Sequence, residues 1–196
     1  IKESETLYSD YSSLRCMLEI EKKSGKTLRE LCSFYFDPET KYWLDLDETN
    51  ISPITGWRGH KLISGQVHDD NCFVISEFIS HAGMFSTIGG LCRTLLNLNE
   101  KADMIERVSE MYKTQKAEDR FIGGFDRVQD LKSSSAGDTC SMKTFGHLGF
   151  TGTSFWIDVE KMRGAVILTN ATRSYWYDRA GLIEFRKKLN SEIWKL

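Results

Sequence analysis

Residues 145–158, FGHLGFTGTSFWID, constrain the chain more than any other segment. Their apolar and aromatic residues read as strand, yet Gly146, Gly149 and Gly152 interrupt them at every third position. Glycine weakens a strand unless another backbone or a ligand must approach closely. One histidine, His147, stands beside the first of these glycines and can donate a proton or a hydrogen bond near neutral pH. A second apolar strand follows at 164–170, with Met162-Arg163-Gly164 as the turn. Together these features predict a strand edge built to receive a ligand.

The rest of the chain supplies helices to cover such strands. Tyr11, Leu14, Met17, Leu18 and Ile20 recur with helical spacing over 11–23, and Ser24-Gly25 ends that helix. Thr27 to Glu30 has the form of a capping box opening a short second helix through Phe34. Residues 36–83 show little periodicity, which marks either a functional surface or elements too short to leave a pattern. Ser86 is placed to cap a helix through Leu98, with Ile88, Leu91, Leu95 and Leu98 on one face. Another helix is expected over 102–113, a strand over 121–128 and an exposed Ser-, Gly- and Asp-rich loop over 131–143. The final helix, 181–196, is expected to bury Leu182, Phe185, Leu189 and Ile193, and to turn Arg186, Lys187 and Lys188 to water. Helices followed by strands and a closing helix predict an α+β fold, an antiparallel sheet flanked by helices. The reading is one domain over 1–196, mainly helix and loop over 11–120, then sheet and C-terminal helix over 121–196.

Bulk properties narrow the function. A net charge of −2 with interspersed signs shows no nucleic-acid footprint, and no apolar run approaches the ~20 residues that span a bilayer. The five cysteines form no CxxC pair, so neither a metal site nor a disulfide framework is expected, and no cofactor is implied. Asp69-Asp70 reads as a solvated pair rather than a cation site.

Several blocks, in order, resemble a known family. Tyr8-Ser9-Asp10, a helix, then Ser24-Gly25-Lys26 is similar to the tyrosine-motif segment of serine hydrolases related to class C β-lactamases and D-alanyl-D-alanine carboxypeptidases. Trp57-Arg58-Gly59, the run 65–71 (GQVHDDN) and the run 81–87 (HAGMFST) resemble the middle of one branch of it. Phe145 to Thr153 resembles its third motif, and Phe185-Arg186 through Trp194 its C-terminal helix. The resemblance covers nearly the whole chain and implies a β-lactamase/transpeptidase-like fold. It also implies acyl-enzyme chemistry, in which a serine attacks an amide, ester or β-lactam carbonyl to give an acyl-enzyme that water later cleaves. The family's S-x-x-K nucleophile motif is not found after any serine here; Ser12, with Arg15 three residues on, comes nearest. In the family it lies upstream of the tyrosine motif, and Tyr8 has seven residues before it. The expectation is therefore a fold incomplete at its N-terminus, with the nucleophile outside the chain. The exposed edge or apolar face would then pair with that N-terminal segment or with another copy.

The resemblance assigns roles residue by residue. Tyr8 matches a general base or proton relay, against the alternative of a packing residue before a helix. A phenol with a pKa of ~10 needs positive charge beside it to act as a base. Asp10 would orient substrate, cap the helix, or both. His147 would stabilise charge on the tyrosine oxygen or bind a substrate carboxylate. The Phe150 backbone N–H matches one oxyanion-hole donor, the other belonging to the missing serine. Leu148 stands where threonine is usual, which removes a hydroxyl contact to substrate. With Gly149, Trp57, Arg58 and His81 it would line the cleft for a small-molecule substrate. A relative that binds a ligand without turnover is the alternative. The resemblance implies the cell envelope, whereas the odd number of cysteines favours a reducing compartment, so the compartment stays open.

Overall fold

The computed structural model describes residues 8–175 and 178–196. The chain divides into two compact units, Ile1–Lys101 and Ala102–Leu196. The architecture is α+β, with helices and antiparallel sheets.

The first unit opens with α1 (Asp10–Ser24). Its cap is Ser9, whose Oγ accepts from the Tyr11 N–H, so Asp10 is the first helical residue rather than the cap. Gly25 ends α1 at φ 68°, the left-handed conformation that glycine adopts without strain. The capping box of α2 (Leu28–Ser33) forms as its spacing predicts: Thr27 accepts from the Glu30 N–H, and the Glu30 carboxylate accepts from the Thr27 N–H. The aperiodic stretch after it contains β1 (Lys41–Tyr42), β2 (Gly56–Arg58), β3 (Lys61–Ile63) and α3 (Asp70–Ile75), before β4 (Met84–Phe85). Each is too short to show a period. β1 pairs with β4 and β2 with β3, both antiparallel. Buried Tyr42, Val67, Cys72 and Ile79 form this unit's core, with Leu14 and Met17 of α1 packed on it.

Helix α4 (Ile88–Ala102) runs past its expected end at Leu98. Its cap is Thr87, whose Oγ1 accepts from the Gly90 N–H, while Ser86 bonds Thr40 instead. Its buried positions are Gly90 and Thr94, not the leucine face. Thr94 Oγ1 accepts from the Asp37 N–H and donates to Thr40, so this polar face supplies partners to an irregular loop.

The second unit holds α5 (Met104–Thr114) and a five-stranded antiparallel meander: β5 (Phe121–Ile122), β6 (Phe125–Arg127), β7 (Thr144–Leu148), β8 (Ser154–Asp158) and β9 (Arg163–Ile167). The expected single strand over 121–128 is a hairpin turning at Gly123-Gly124, both at positive φ. Residues 144–158, read from sequence as continuous strand, are likewise two strands, reversing through 149–153. β7 is the central strand, not an edge; β5 and β9 are the edges. Gly146 is required by its neighbours. A Cβ there would overlap the Phe155 carbonyl oxygen and lie 2.7 Å from Trp156 Cε3.

Helix α6 (Arg179–Ile193) corrects the sequence reading most sharply. Its buried residues are Arg186, Asn190 and Ser191, whereas Phe185 and Leu189 are exposed. Trp194, at its end, joins Val128, Ala136, Cys140, Trp156 and Ala165 in the core of this unit. The polar face holds the loop over 131–143, which is partly buried rather than exposed. Asn190 Nδ2 donates to the Ser135 carbonyl, Trp194 Nε1 donates to that of Ala136, and Ala136 is fully buried.

Candidate active site

In the second unit, the end of β7 carries His147, Leu148 and Gly149 into the turn that presents Phe150. Phe145 pairs with Arg127 and Gly146 with Asp126 on one side. On the other side the register with β8 continues through His147↔Phe155 and Leu148↔Ser154. The paired ladder on the β6 side thus ends one residue before His147.

Alternation along the strand separates its side chains. Leu148 packs on the core cluster containing Val128, Trp156 and Trp194, on the face opposite His147. A leucine at this position therefore serves packing as well as removing a hydroxyl. The half-buried His147 has Nδ1 3.1 Å from the Leu148 carbonyl oxygen.

Backbone hydrogen bonds and the Arg186 guanidinium together shape the turn over 149–153. The Gly149 N–H donates to the Thr153 carbonyl at 2.8 Å, and the Gly152 N–H to that of Gly149 at 3.1 Å. The Ala171 N–H donates to the Thr151 carbonyl at 2.8 Å. Gly152 lies at φ 109°, a conformation that a side chain resists. Arg186 completes the set with three bonds, donating to the carbonyls of Gly149, Gly152 and Thr153. Phe150 is exposed at the tip, with the Arg179 guanidinium 5.1 Å from its ring centroid. Burial pushes the Arg186 guanidinium below its usual value, though arginine stays charged in proteins.

In the first unit, Tyr8 is half-exposed just before α1. Asp10 accepts from Asn71 Nδ2 at 3.2 Å. The His81 side chain is only 3% exposed, with Nε2 3.1 Å from Asp69 Oδ1 and 3.9 Å from Asp10 Oδ2. Asp69 also caps α3 by accepting from the Cys72 N–H. Asp10, Asp69 and His81 are the one group among the described residues whose ligand atoms lie close enough to hold a cation, within 4.8 Å of one another. Protein hydrogen bonds already account for their arrangement.

Trp57 is exposed on β2. Arg58 beside it is engaged within the unit: Nε donates to Asp70, Nη2 to the carbonyls of Val67 and His68, and the guanidinium lies 3.9 Å from the Phe73 ring centroid. The structure thus joins the block at Tyr8 to the block at 65–71 through Asp10 and Asn71, and to His81 through its approach to Asp10. Trp57 stands on the β2–β3 hairpin, whose Arg58 bonds into the same 65–71 block. His147, Leu148, Gly149 and Phe150 are contiguous in the second unit.

Comparison with known proteins decides what this strand belongs to. A family model described as "Beta-lactamase" matches residues 22–184. The chain belongs to the β-lactamase family. Within that family of serine hydrolases, the match includes His147 to Phe150 and Arg186 lies just beyond it, as Tyr8 and Asp10 lie before it. Two curated relatives are described as "Putative D-alanyl-D-alanine carboxypeptidase". One, from Escherichia coli O157:H7, is 33% identical over 134 residues. The other, from Escherichia coli strain K12, is 35% identical over 135 residues. Each match covers 64% of this chain and 29% of the relative's length. No solved structure gives a significant match.

Arg186 is the residue that the sequence reading missed, having assigned it to water. The available signal was its spacing: Leu182, Arg186 and Asn190 stand four apart and share one helix face.

Proposed function

We propose that the protein carrying this chain is a serine hydrolase that works through an acyl-enzyme on an amide, ester or β-lactam. Peptidoglycan-like peptides, in keeping with relatives described as putative D-alanyl-D-alanine carboxypeptidases, and small esters are the substrates favoured. The observation that carries this reading is the end of β7: a histidine, then Gly149, then an exposed turn at Phe150, inside the span that matches the family. In this reading the nucleophile is the serine of an S-x-x-K motif outside these 196 residues. Tyr8 relays its proton, His147 stabilises the charge that develops, and the Phe150 N–H supports the oxyanion. Gly149, Leu148, Asp10, Trp57, Arg58 and His81 shape or support the cleft. No cofactor enters. The outer edge of β9 pairs with the protein's own N-terminal segment or with a second copy.

Labelling tests this directly. The full-length protein is treated with a fluorophosphonate and with a fluorescent penicillin, and the modified peptide is mapped. Modification of an S-x-x-K serine is expected. His147→Gln should slow labelling about 100-fold, within the usual range for a positioned acid–base group. A folded, full-length protein that labels with neither probe would sink the proposal.

A second reading, a family member that binds its ligand without turnover, is favoured by Leu148, which lacks a hydroxyl for substrate. It predicts calorimetric binding of a cell-wall peptide with no hydrolysis of ester substrates.

A further inference from the structure

Arg186 is a buried cation that, among the described residues, hydrogen-bonds to backbone alone. Its residue is 4% exposed, and among the described residues no carboxylate lies within ion-pairing distance. Its donors go to three carbonyls of one turn. Nε donates to Gly152 at 3.2 Å, and Nη2 donates to Gly149 at 2.9 Å and to Thr153 at 2.7 Å. Burying a charge this deeply is costly, and three carbonyl dipoles offset that cost at one place only.

The position of that place matters. The Gly149 carbonyl and the Phe150 N–H belong to the same peptide unit. In a trans peptide the C=O and N–H bonds point in opposite directions. The Gly149 oxygen accepts from both Arg186 and the Gly152 N–H, which fills its two lone pairs. Holding that oxygen toward α6 aims the Phe150 N–H the other way. A flip of this peptide would break both bonds and leave the buried guanidinium short of a partner.

We propose that Arg186 is a positioning residue, which locks the Gly149–Phe150 peptide so that its N–H faces the reacting oxygen. The assignment rests on the serine-hydrolase reading above. It also explains why a charged residue occupies the inward face of α6, where helical periodicity calls for an apolar one.

The test uses the full-length protein and the variants Arg186→Lys and Arg186→Gln, with thermal unfolding and circular dichroism as folding controls. Loss of one oxyanion donor typically lowers kcat 10²–10³-fold, so a loosened donor should cost about 10–100-fold in Arg186→Gln. KM for a small ester should change less than about twofold, because ground-state contacts are untouched. Affinity for phenylboronic acid, whose serine adduct carries a tetrahedral oxyanion, should fall in step with kcat. Arg186→Lys should recover part of both, since an ammonium can hold one or two of the carbonyls. A crystal structure of the wild-type boronate adduct gives a readout even if both variants fail to fold. It should show the Phe150 nitrogen within about 3 Å of the boronate oxygen, with Gly149 still bound to Arg186. If the wild type turns over ester while Arg186→Gln keeps its kcat and boronate affinity, or if the adduct shows Phe150 N–H turned away, this assignment falls and the hydrolase reading stands. If the folded wild type neither labels nor turns over, both fall.

Discussion

Asp158, at the end of β8, is fully buried and accepts four hydrogen bonds. Oδ1 takes Ser141 Oγ at 2.7 Å and the N–H groups of Glu160 and Lys161 at 3.0 Å each. Oδ2 takes the Ser141 N–H at 2.7 Å. One carboxylate therefore fixes both the β8–β9 turn and the loop that leads into β7. Asp158→Asn preserves shape but puts an NH2 group against at least one donor. If the amide oxygen takes the Oδ1 position, the bond to the Ser141 N–H becomes a donor–donor contact, and the other three lose their charge assistance. A hydrogen bond to a charged group contributes about 1.5–3 kcal/mol net, so the expected loss at pH 7 is about 3 kcal/mol. Urea unfolding of the full-length protein and its variant measures it. The pH dependence supplies the sharper check. Burial raises the Asp158 pKa, but the N–H groups of Lys161, Ser141 and Glu160 and the Ser141 hydroxyl outweigh it, so the net shift is downward. A depressed carboxylate contributes stability that is present above its unfolded pKa of about 3.9 and is lost as pH falls through the folded value. Burial holds Tyr112 and Cys140, its ionisable neighbours, above their usual values, so both stay neutral in that range. The difference between wild type and Asp158→Asn should therefore be full at pH 7 and shrink below about pH 4. A variant within 0.5 kcal/mol of wild type at pH 7, or a difference that widens in acid, would refute the reasoning.

Two further substitutions test the packing of each unit. Gly146→Ala should destabilise by about 2 kcal/mol or more, because the new Cβ meets the backbone of β8, which cannot give way as a side chain tip would; an unchanged urea midpoint would contradict the close approach. Tyr42→Phe removes the hydroxyl that donates to the Glu77 carbonyl and accepts from the buried Ile79 N–H, and should cost about 1–3 kcal/mol, with faster amide exchange at Ile79 as the local signature.

The elements legible in the sequence were those whose stability is local. The Thr27–Glu30 box and the Gly25 stop are read within four residues, and both stand in the structure. The third-motif block was legible for a different reason: glycines that the sheet geometry demands leave a visible spacing, as at Gly146. What was not legible depends on distant partners. Strands of two or three residues, such as β1 and β4, exist because they pair across about forty residues, and no local pattern announces that. The turn at 149–153 was read as strand because apolar residues run through it; Phe150 lies exposed there instead of continuing the strand.

The inward faces of α4 and α6 carry the larger lesson. Hydrophobic periodicity assumes that a helix buries its apolar stripe, and in both helices a polar set lies inward instead. In each case an irregular segment lies opposite, and irregular backbone has no ladder to satisfy it. Thr94 serves the Asp37 N–H; Asn190, Trp194 and Arg186 serve the carbonyls of 135–136 and of the 149–153 turn. A loop that must be both buried and exact in shape transfers its hydrogen-bonding demand to the nearest helix. That helix then looks wrongly patterned in sequence. By this argument the charge at Arg186, which helical periodicity alone would turn to water, and the fixed shape of the 149–153 turn are one feature, two ends of the same three hydrogen bonds.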